Sequence, residues 1–335
     1  MNPAFMLTAA LLVAPFCCPD GWAQAPDQAA AFHDTAVAIN ATIRANHYHR
    51  AELDDDRYRQ IEQEVLALGD TATSADEFMQ GFNAIWRRGP FSHVGLKKAQ
   101  VPAAKLIAGF DTQNAGPGAV LLGWEGSTAI LTVNTMNGAD TLTAINAAYA
   151  EIVARKADKL IIDLRRNDGG AFAVVPLIGH LVDQPIDIGV FVVRSWYANH
   201  EEPPGAADLS AAKPWRGYSV REFQADILRR PLTSYRIEPM QPVFHGQVRV
   251  LTSRRSLSAA EIAADALKSS GRAVIIGEKT PGIVLSSKLF DIPGGFHLRV
   301  PIADYYSVWH KRLEGVGVLP DIAVSADDAM AVALR

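Results

Sequence analysis

Residues 251–284 read as strand, tight turn, helix, strand and loop, and this order restricts the chain to a fold in which helices pack on a sheet. Residues 248–252 are a short apolar, β-branched run, residues 259–267 have helical spacing, and residues 273–277 are a second apolar run. Pro281-Gly282 ends the second strand. A strand–helix–strand order implies a crossover connection between parallel strands. The segment therefore predicts one unit of a layered α/β core.

A second unit of the same kind lies earlier in the chain. Residues 129–136 are predicted to form a strand, and an apolar stripe at helical spacing runs over residues 142–155. Residues 159–164, KLIIDL, are almost wholly apolar, which is typical of a strand buried on both faces. We therefore predict an α/β core over residues 101–335.

Residues 26–100 are predicted to form an N-terminal helical cap that ends at a Ser-His pair. Gly69 is expected to close the second helix, and Ser74 and Glu77 form a capping box at the start of the third. The residues expected to face inward are Phe32, Ile39 and Ile43 in the first helix, Tyr58, Ile61, Val65 and Leu68 in the second, and Phe78, Phe82 and Ile85 in the third.

Charge and cysteine content limit the partners and the location of the protein. The 335 residues carry a net charge of −4, which gives no basic footprint, so nucleic acid is not an expected partner. Residues 5–16 are apolar and Ala23-Gln24-Ala25 is a small-residue cleavage pattern, which predicts a signal peptide over residues 1–25 and a periplasmic enzyme. Both cysteines, Cys17 and Cys18, lie in this segment. No later stretch is apolar for long enough to predict a stable membrane span.

Residues 196–245 are less regular and are interpreted as an insertion in the core. The insertion is either a lid that faces the substrate or a structural excursion. Its aromatic side chains could line a ligand pocket, although such residues more often pack in a core. They are Trp196, Tyr197, Trp215, Tyr218 and Phe223.

Ser258, at the start of the helix in the opening segment, has two interpretations. Ser258 and Glu261 fit a capping box, in which the serine caps the helix and the glutamate reaches back to it. Alternatively, a serine at this place lies beside free backbone N–H groups that can bind a developing oxyanion, which is how a fold presents a nucleophile. The local pattern alone favours the cap.

Three motifs around Ser258 match a known family in order and spacing. They are S-L-S-A-A-E-I at residues 256–262, G-R-A at 271–273 and G-E-K-T-P-G at 277–282. The region resembles the nucleophile segment of the C-terminal-processing and tricorn-core serine peptidases. The resemblance covers roughly residues 30–325, and it implies a crotonase/ClpP-like ββα core with a helical cap. The PDZ domain that members of these families often carry is not expected, because only about 35 residues separate Ser92-His93 from the strand that starts at residue 129. It also implies that Ser258 is the nucleophile.

Residues 160–170, L-I-I-D-L-R-R-N-D-G-G, closely resemble another segment of that family. By this resemblance, the N–H groups of Gly169 and Gly170 join that of Ala259 as donors in an oxyanion hole. Alternatively, the two glycines only allow a tight turn with positive φ and bind no oxyanion. Asp163 and Arg165 are expected to form an ion pair that fixes the loop, because charges beside a buried strand need partners.

The resemblance places the base and its partner in two other motifs. Ser92-His93 corresponds to a Ser-His pair whose histidine is the general base in tricorn-type members, with Ser92 assisting. Glu314, in the run L-E-G-V-G-V-L-P-D-I, corresponds to the carboxylate that helps to polarise this base. From the residues alone, a lone histidine is more often structural, His310 is the main rival base, and Glu314 could be an exposed turn carboxylate.

One departure from the family pattern bears on the mechanism. The processing peptidases of this group use a Ser–Lys dyad, and Ile283 stands where their lysine would be. Lys279 and Lys288 are out of register, by four and five residues. A lysine base must also be desolvated to be neutral near pH 7. We therefore expect a Ser–His–Glu group in place of the dyad.

Together these features predict a serine endopeptidase that hydrolyses peptides or unfolded protein tails through an acyl-enzyme. No metal or organic cofactor is expected, because the sequence has no H-E-x-x-H motif, no set of cysteine ligands and no phosphate loop. Two alternatives stay open: a non-catalytic relative that binds a ligand or a peptide, and an esterase that uses the same machinery.

Overall fold

The computed structural model describes the backbone of residues 28–335 and the side chains from residue 32 onward. The predicted signal peptide, residues 1–25, lies outside the described residues together with both cysteines. The described chain has the mixed α/β fold that the sequence predicts. Within residues 28–335, no helix is both long enough and apolar enough to cross a membrane.

One six-stranded sheet contains both predicted strand–helix–strand units. Across this sheet the strands are β12 (Ile322–Ala323), β9 (Val274–Gly277), β8 (Gln247–Thr252), β4 (Lys159–Asp163), β3 (Thr128–Val133) and β2 (Val120–Glu125). Strands β3, β4, β8 and β9 are parallel. Helix α5 (Ala139–Ala154) connects β3 to β4, and helix α10 (Ala259–Ser269) connects β8 to β9. The apolar residues of β4 are buried on both faces, which explains their unbroken run in the sequence.

A second six-stranded sheet carries the segment that follows the Ser-His pair. Across it lie β1 (Gly95–Lys98), β11 (Phe296–Ser307), β5 (Ile186–Val193), β7 (Leu232–Ile237) and β6 (Lys213–Trp215), and β10 (Ser286–Ile292) also pairs with β11. Strands β10 and β11 form a hairpin around Pro293-Gly294-Gly295, with Ile292 opposite Phe296. Because β1 starts two residues after His93, its pairing with β11 fixes where the Ser-His pair lies.

Helix α10 lies between the two sheets. Its residues Ala263 and Leu267 share one buried cluster with Val250 of the parallel sheet and Tyr305 of the second sheet. Helix α11 (Ala329–Leu334) covers the opposite face of the parallel sheet. The remaining helices are α4 (Ala103–Phe110), α6 (Val174–Gly179), α7 (Arg194–Tyr197), α8 (Ala206–Ser210) and α9 (Val220–Ile227).

The helical cap packs against the second sheet and forms its own cluster with that sheet. It contains α1 (Gln28–Asn46), a 3-10 helix (Arg50–Asp54), α2 (Asp56–Thr71) and α3 (Ala75–Trp86). The capping box predicted for α3 forms in part: the Ser74 side chain accepts a hydrogen bond from the Glu77 N–H, whereas the Glu77 carboxylate accepts from Thr73. The prediction that Gly69 closes α2 is wrong. Gly69 lies inside the helix, where a Cβ would be 2.8 Å from the Cβ of Ala36, so the glycine permits close packing of α1 on α2.

Residues 196–245 contribute two strands to the second sheet. Strand β7 pairs with β5, and β6 pairs with β7. Trp215 and Phe223 are buried in the main cluster between the sheets, Trp196 is buried in a smaller one, and Tyr218 is exposed. The aromatic residues of this region are therefore mainly core residues, and they do not favour a ligand pocket.

Candidate active site

Ser258 lies in the loop between β8 and α10 and has a strained backbone. Its φ of +54° and ψ of −114° are rare for a residue with a Cβ. It occupies the N-cap position, and its N–H donates to Glu261 Oε1 at 3.1 Å, but its own side chain makes no capping hydrogen bond. The hydroxyl is therefore not used for helix capping and is half-exposed, as a nucleophile requires.

Glu261 connects the start of α10 to the loop after β9. The side chain is fully buried and accepts four hydrogen bonds. Three come from backbone N–H groups and one from a hydroxyl; the donors are Ser258 N, Gly282 N, Ile283 N and Thr280 Oγ1. Burial raises the pKa of Glu261, while the four donors work in the opposite direction. The capping pattern of Ser258 and Glu261 does not predict this wider role, because the residues at 280–283 that donate to Glu261 carry no pattern of their own in the sequence.

The glycine pair lies directly against Ser258. A Cβ on Gly169 would be 2.8 Å from the Cβ of Ser258 and 2.7 Å from the carbonyl oxygen of Leu257, so no larger residue fits. The φ values of Gly169 and Gly170 are +86° and +138°, which also favour glycine. Asn167 fixes this turn, because its carbonyl accepts the Leu257 N–H at 2.9 Å.

The predicted set of three oxyanion donors is reduced to two. The Gly169 N–H donates to Asn167 Oδ1 at 2.9 Å, so it is occupied inside its own loop. Within the described chain, the N–H groups of Gly170 and Ala259 have no acceptor. Ala259 is the first residue of α10, where an N–H has no partner inside the helix.

Ser92 and His93 lie just before β1, and their side chains contact each other. Ser92 Oγ is 2.8 Å from His93 Nδ1, and His93 has a strained φ of +61°. Burial, with a smaller contribution from the charge of Arg299, lowers the pKa of His93 to about 3. The imidazole is therefore neutral at physiological pH, which is the form that can accept a proton.

Glu314 holds backbone groups and does not bond to the imidazole. Its Oε1 accepts the Ser92 N–H at 3.0 Å, and its Oε2 accepts the Val284 N–H at 2.9 Å. Among the described residues, the expected direct hydrogen bond between the Glu314 carboxylate and the His93 imidazole is not present. Glu314 instead contacts Ser92, whose N–H donates to the carboxylate and whose hydroxyl contacts the His93 ring.

The linking segment, residues 282–284, joins the two halves of the site. The N–H of Ile283 donates to Glu261, and the next N–H, of Val284, donates to Glu314. A series of hydrogen bonds, each between 2.7 and 3.1 Å long, runs from the Ser258 backbone N–H through Glu261, the Ile283–Val284 peptide, Glu314 and Ser92 to the His93 ring. Within the described residues, no hydrogen bond joins the Ser258 hydroxyl directly to His93. Folding therefore brings together sequence motifs that are more than 160 residues apart.

The other candidate bases lie outside this series of hydrogen bonds. His310 is in the exposed turn after β11, where its Nε2 contacts Ser210 Oγ at 3.2 Å. Lys279 is exposed, and the Lys288 ammonium lies over the ring of Phe290. None of the three hydrogen-bonds to residues of the site.

Two ion pairs support the loops of the site. The predicted Asp163–Arg165 pair is confirmed: two guanidinium nitrogens contact the two carboxylate oxygens at 2.9 and 2.7 Å.

Arg312, two residues before Glu314, bonds to Asp304 of β11 and to Tyr48 and Glu52 of the cap. Burial raises the pKa of Asp304 to about 6, although the positive charge of Arg312 acts to lower it. Sequence reasoning missed this second network, which has no local pattern.

Comparisons with known proteins agree with this architecture. The model of peptidase family S41 matches residues 127–324. A carboxyl-terminal-processing protease from Picosynechococcus is 28% identical over 234 residues, which cover 65% of this chain and 54% of that protein. The chain spans about half or less of the length of the first curated relatives that it matches.

Two solved structures show the same fold at low sequence identity. The photosystem II D1 C-terminal processing protease has a TM-score of 0.51 and 16% identity, over 89% of this chain and 94% of that chain. The tricorn protease has a TM-score of 0.53 and 12% identity, over 91% of this chain and 35% of that chain. The family match covers more than half of the chain and includes Gly170, Ser258 and Glu314. The protein belongs to peptidase family S41.

Proposed function

We propose that the protein is a serine peptidase in which Ser258 is the nucleophile and His93 is the general base and acid. Glu314 and Ser92 position His93, and the N–H groups of Gly170 and Ala259 bind the oxyanion. The observation that carries the proposal is the strained Ser258, with its uncapped hydroxyl, joined through residues 282–284 to the Ser-His pair.

The reaction follows from these roles. His93 takes the proton of the Ser258 hydroxyl as Oγ attacks the peptide carbonyl, and the carbonyl oxygen becomes an oxyanion held by two N–H groups. Collapse breaks the C–N bond, and His93 donates the proton to the leaving amine. Water then attacks the acyl-enzyme with His93 as base, which releases the acid and restores Ser258.

The substrates in this proposal are peptides or unfolded protein tails. A folded protein rarely exposes the extended backbone that a serine nucleophile and its oxyanion donors must reach. The relatives are named as carboxyl-terminal-processing proteases, which favours substrates cut near their ends. Export to the periplasm, which rests on residues 1–25, is part of the same proposal.

A serine-directed fluorophosphonate probe combined with peptide hydrolysis tests the proposal. We expect the probe to label wild-type protein at Ser258, and Ser258→Ala to remove both labelling and hydrolysis while the fold is kept. Labelling that is equal in Ser258→Ala would contradict the assignment. Absence of labelling and hydrolysis in the wild type would favour the non-catalytic binding protein. Efficient cleavage of esters but not of matched peptides would favour the esterase.

A further inference from the structure

Arg299 is a charged residue of β11 that lies beside the candidate base. It is directly opposite Gly95 of β1, and Gly95 follows His93 by two residues. Opposite residues of an antiparallel pair have Cα atoms about 5 Å apart, and two residues of extended chain span at most about 7 Å. The charge of Arg299 acts on the His93 ring, because it helps to lower the pKa of the imidazole.

The face of the second sheet that carries Arg299 points away from the helical cap. Along β11, Leu298 and Val300 pack in the cluster with the cap, whereas His297 and Arg299 alternate onto the other face. On that face His297 Nε2 is 3.2 Å from Asp291 Oδ1 of β10, so this carboxylate has a partner. The residue of β1 opposite Arg299 is glycine, so β1 has no side chain there to cover the guanidinium.

Arg299 itself has no ion pair and no hydrogen bond from its side chain within residues 32–335. The side chain is exposed to solvent, yet the surrounding protein lowers the pKa of its guanidinium. Both are observed when a side chain lies in an open recess, where solvent reaches it but protein atoms replace part of its hydration. A cation that is partly desolvated and unpaired costs free energy, and a bound anion would remove this cost.

The position of this charge also opposes the proposed chemistry. His93 becomes an imidazolium when it takes the proton of Ser258, and a positive charge nearby disfavours that form. A substrate carboxylate paired with Arg299 would cancel the repulsion while His93 is charged. The same contact would therefore bind the substrate and stabilise the transition state.

We propose that Arg299 selects substrates that have an aspartate or glutamate side chain within two residues of the scissile bond. The proposal rests on the proposed function. A guanidinium binds a carboxylate through two parallel hydrogen bonds, so it distinguishes these side chains from their amides. A side chain is the source of the carboxylate, because the contact lies beside His93 and hence beside the scissile bond. A chain terminus lies there only in a substrate that ends within two residues of the bond.

Peptides that differ in one side chain test the proposal. They are N-acetylated, amidated at the C-terminus and cleaved by the wild type, with glutamate or glutamine at each of the two positions on either side of the scissile bond. Because a charged hydrogen bond contributes about a factor of ten or more, we expect kcat/KM to be about tenfold higher for glutamate at one or more of these positions. Arg299→Gln should remove this preference, and Arg299→Glu should replace it with a preference for lysine over glutamine.

Lys97→Gln is the matched control. Lys97 is exposed on β1, lies on the same face opposite His297, and has no ion pair in the described chain. It should keep the preference for glutamate to within about twofold, since an exposed charge farther from His93 contributes little. An equal loss of preference in Lys97→Gln and Arg299→Gln would show that the general charge of the face attracts the peptide, and would overturn the proposal. Equal rates on the glutamate and glutamine peptides at all positions would overturn it as well.

A binding measurement separates the failure of this proposal from that of the proposed function. Inactive Ser258→Ala should bind at least one glutamate peptide about tenfold more tightly than its glutamine counterpart, and adding Arg299→Gln should make the two equal. If the wild type cleaves no peptide, the proposed function fails, and equal binding by Ser258→Ala would then overturn this proposal too. A glutamine peptide with a free C-terminal carboxylate should bind no better than its amide. Tighter binding of the free acid, lost in Arg299→Gln, would assign Arg299 to the chain terminus and contradict the proposal.

Discussion

Ile283 determines which base the site can use. Its backbone N–H is bonded to the buried Glu261, and the next N–H is bonded to Glu314, so the residue lies between two carboxylates. A lysine side chain introduced here would be attracted to both, and nearby negative charge raises the pKa of an amine. Such a lysine would stay protonated near pH 7, whereas a base must be neutral.

We therefore expect Ile283→Lys to give no gain in kcat/KM at pH 7 to 8, and a loss of severalfold because a charge is placed in a half-buried position. The measurement is peptide hydrolysis by the purified variant, with Ile283→Met as a control of similar length. A rise in rate by orders of magnitude would show that a Ser–Lys dyad can form, and the assignment of His93 as base would be wrong.

The lowered pKa of His93 predicts how stability depends on pH. Its pKa is about 3 in the folded protein and close to 6.5 in the unfolded chain, so between these values the unfolded state binds more protons. The contribution of neutral His93 to the free energy of unfolding is therefore present above pH 6.5 and is lost as the pH falls toward 3. From pH 7 to pH 5 the loss is at most roughly 2 kcal/mol.

His93→Gln should remove this loss without changing the rest of the pH profile. The measurement is the free energy of unfolding in urea at pH 7 and at pH 5, for wild type and for the variant. We expect the wild type to lose more stability than His93→Gln over this range. Identical losses would mean that the imidazole is solvated in solution and that its low pKa does not apply.

At the scale of single residues, the candidate site residues were easier to predict from the sequence than their hydrogen-bond partners. Ser258, Gly170 and Glu314 could be named because their motifs are local. The loss of the Gly169 N–H to Asn167, and the contact of Glu314 with Ser92 in place of the imidazole, could not be predicted. Both depend on how separate loops are oriented, and no spacing within one motif encodes that orientation.

At the scale of elements, the start of α10 differs from an ordinary capped helix. Helix α9 also begins with serine at the N-cap and glutamate three residues later, and there the Ser219 side chain caps the helix while Glu222 is exposed. In α10 the Ser258 side chain makes no capping bond and Glu261 is fully buried. The same short pattern therefore serves a surface helix in one place and a candidate nucleophile in the other, so pattern alone could not separate them.

Replacing Glu261 should damage stability and activity together. In Glu261→Gln, one oxygen becomes an NH₂ group that faces two donors, so two of the four hydrogen bonds are lost. We expect a loss of roughly 2 to 3 kcal/mol in the free energy of unfolding and at least a tenfold fall in kcat/KM. Urea unfolding and peptide hydrolysis measure the two effects. Glu222→Gln, at the equivalent position of α9, is the control and should change neither the free energy of unfolding nor kcat/KM. If Glu261→Gln also left both unchanged, Glu261 would not hold residues 282–284.

At the scale of the whole molecule, the site is complete only when the cap and both sheets are assembled. Ser258 comes from the parallel sheet, Ser92 and His93 from the junction of the cap and β1, and Glu314 from the chain that follows β11. Arg312 joins the second sheet to the cap, because it bonds to Asp304 of β11 and to Tyr48 and Glu52 of the cap. The layered fold and the helical cap were predictable from periodicity, whereas this long-range network was not, because its members are up to 264 residues apart.

The Arg312–Asp304 pair gives the last prediction. Arg312→Met leaves the buried Asp304 carboxylate without its partner, which costs about 3 to 5 kcal/mol of unfolding free energy. Adding Asp304→Asn removes the buried charge, so the double variant should recover part of this loss even though it carries one more substitution. Urea unfolding of the two single variants and the double variant measures the coupling. Because Glu314 lies two residues away, kcat/KM should recover in parallel with stability. A double variant that is less stable than Arg312→Met would show that the unpaired charge of Asp304 is not the cause of the loss.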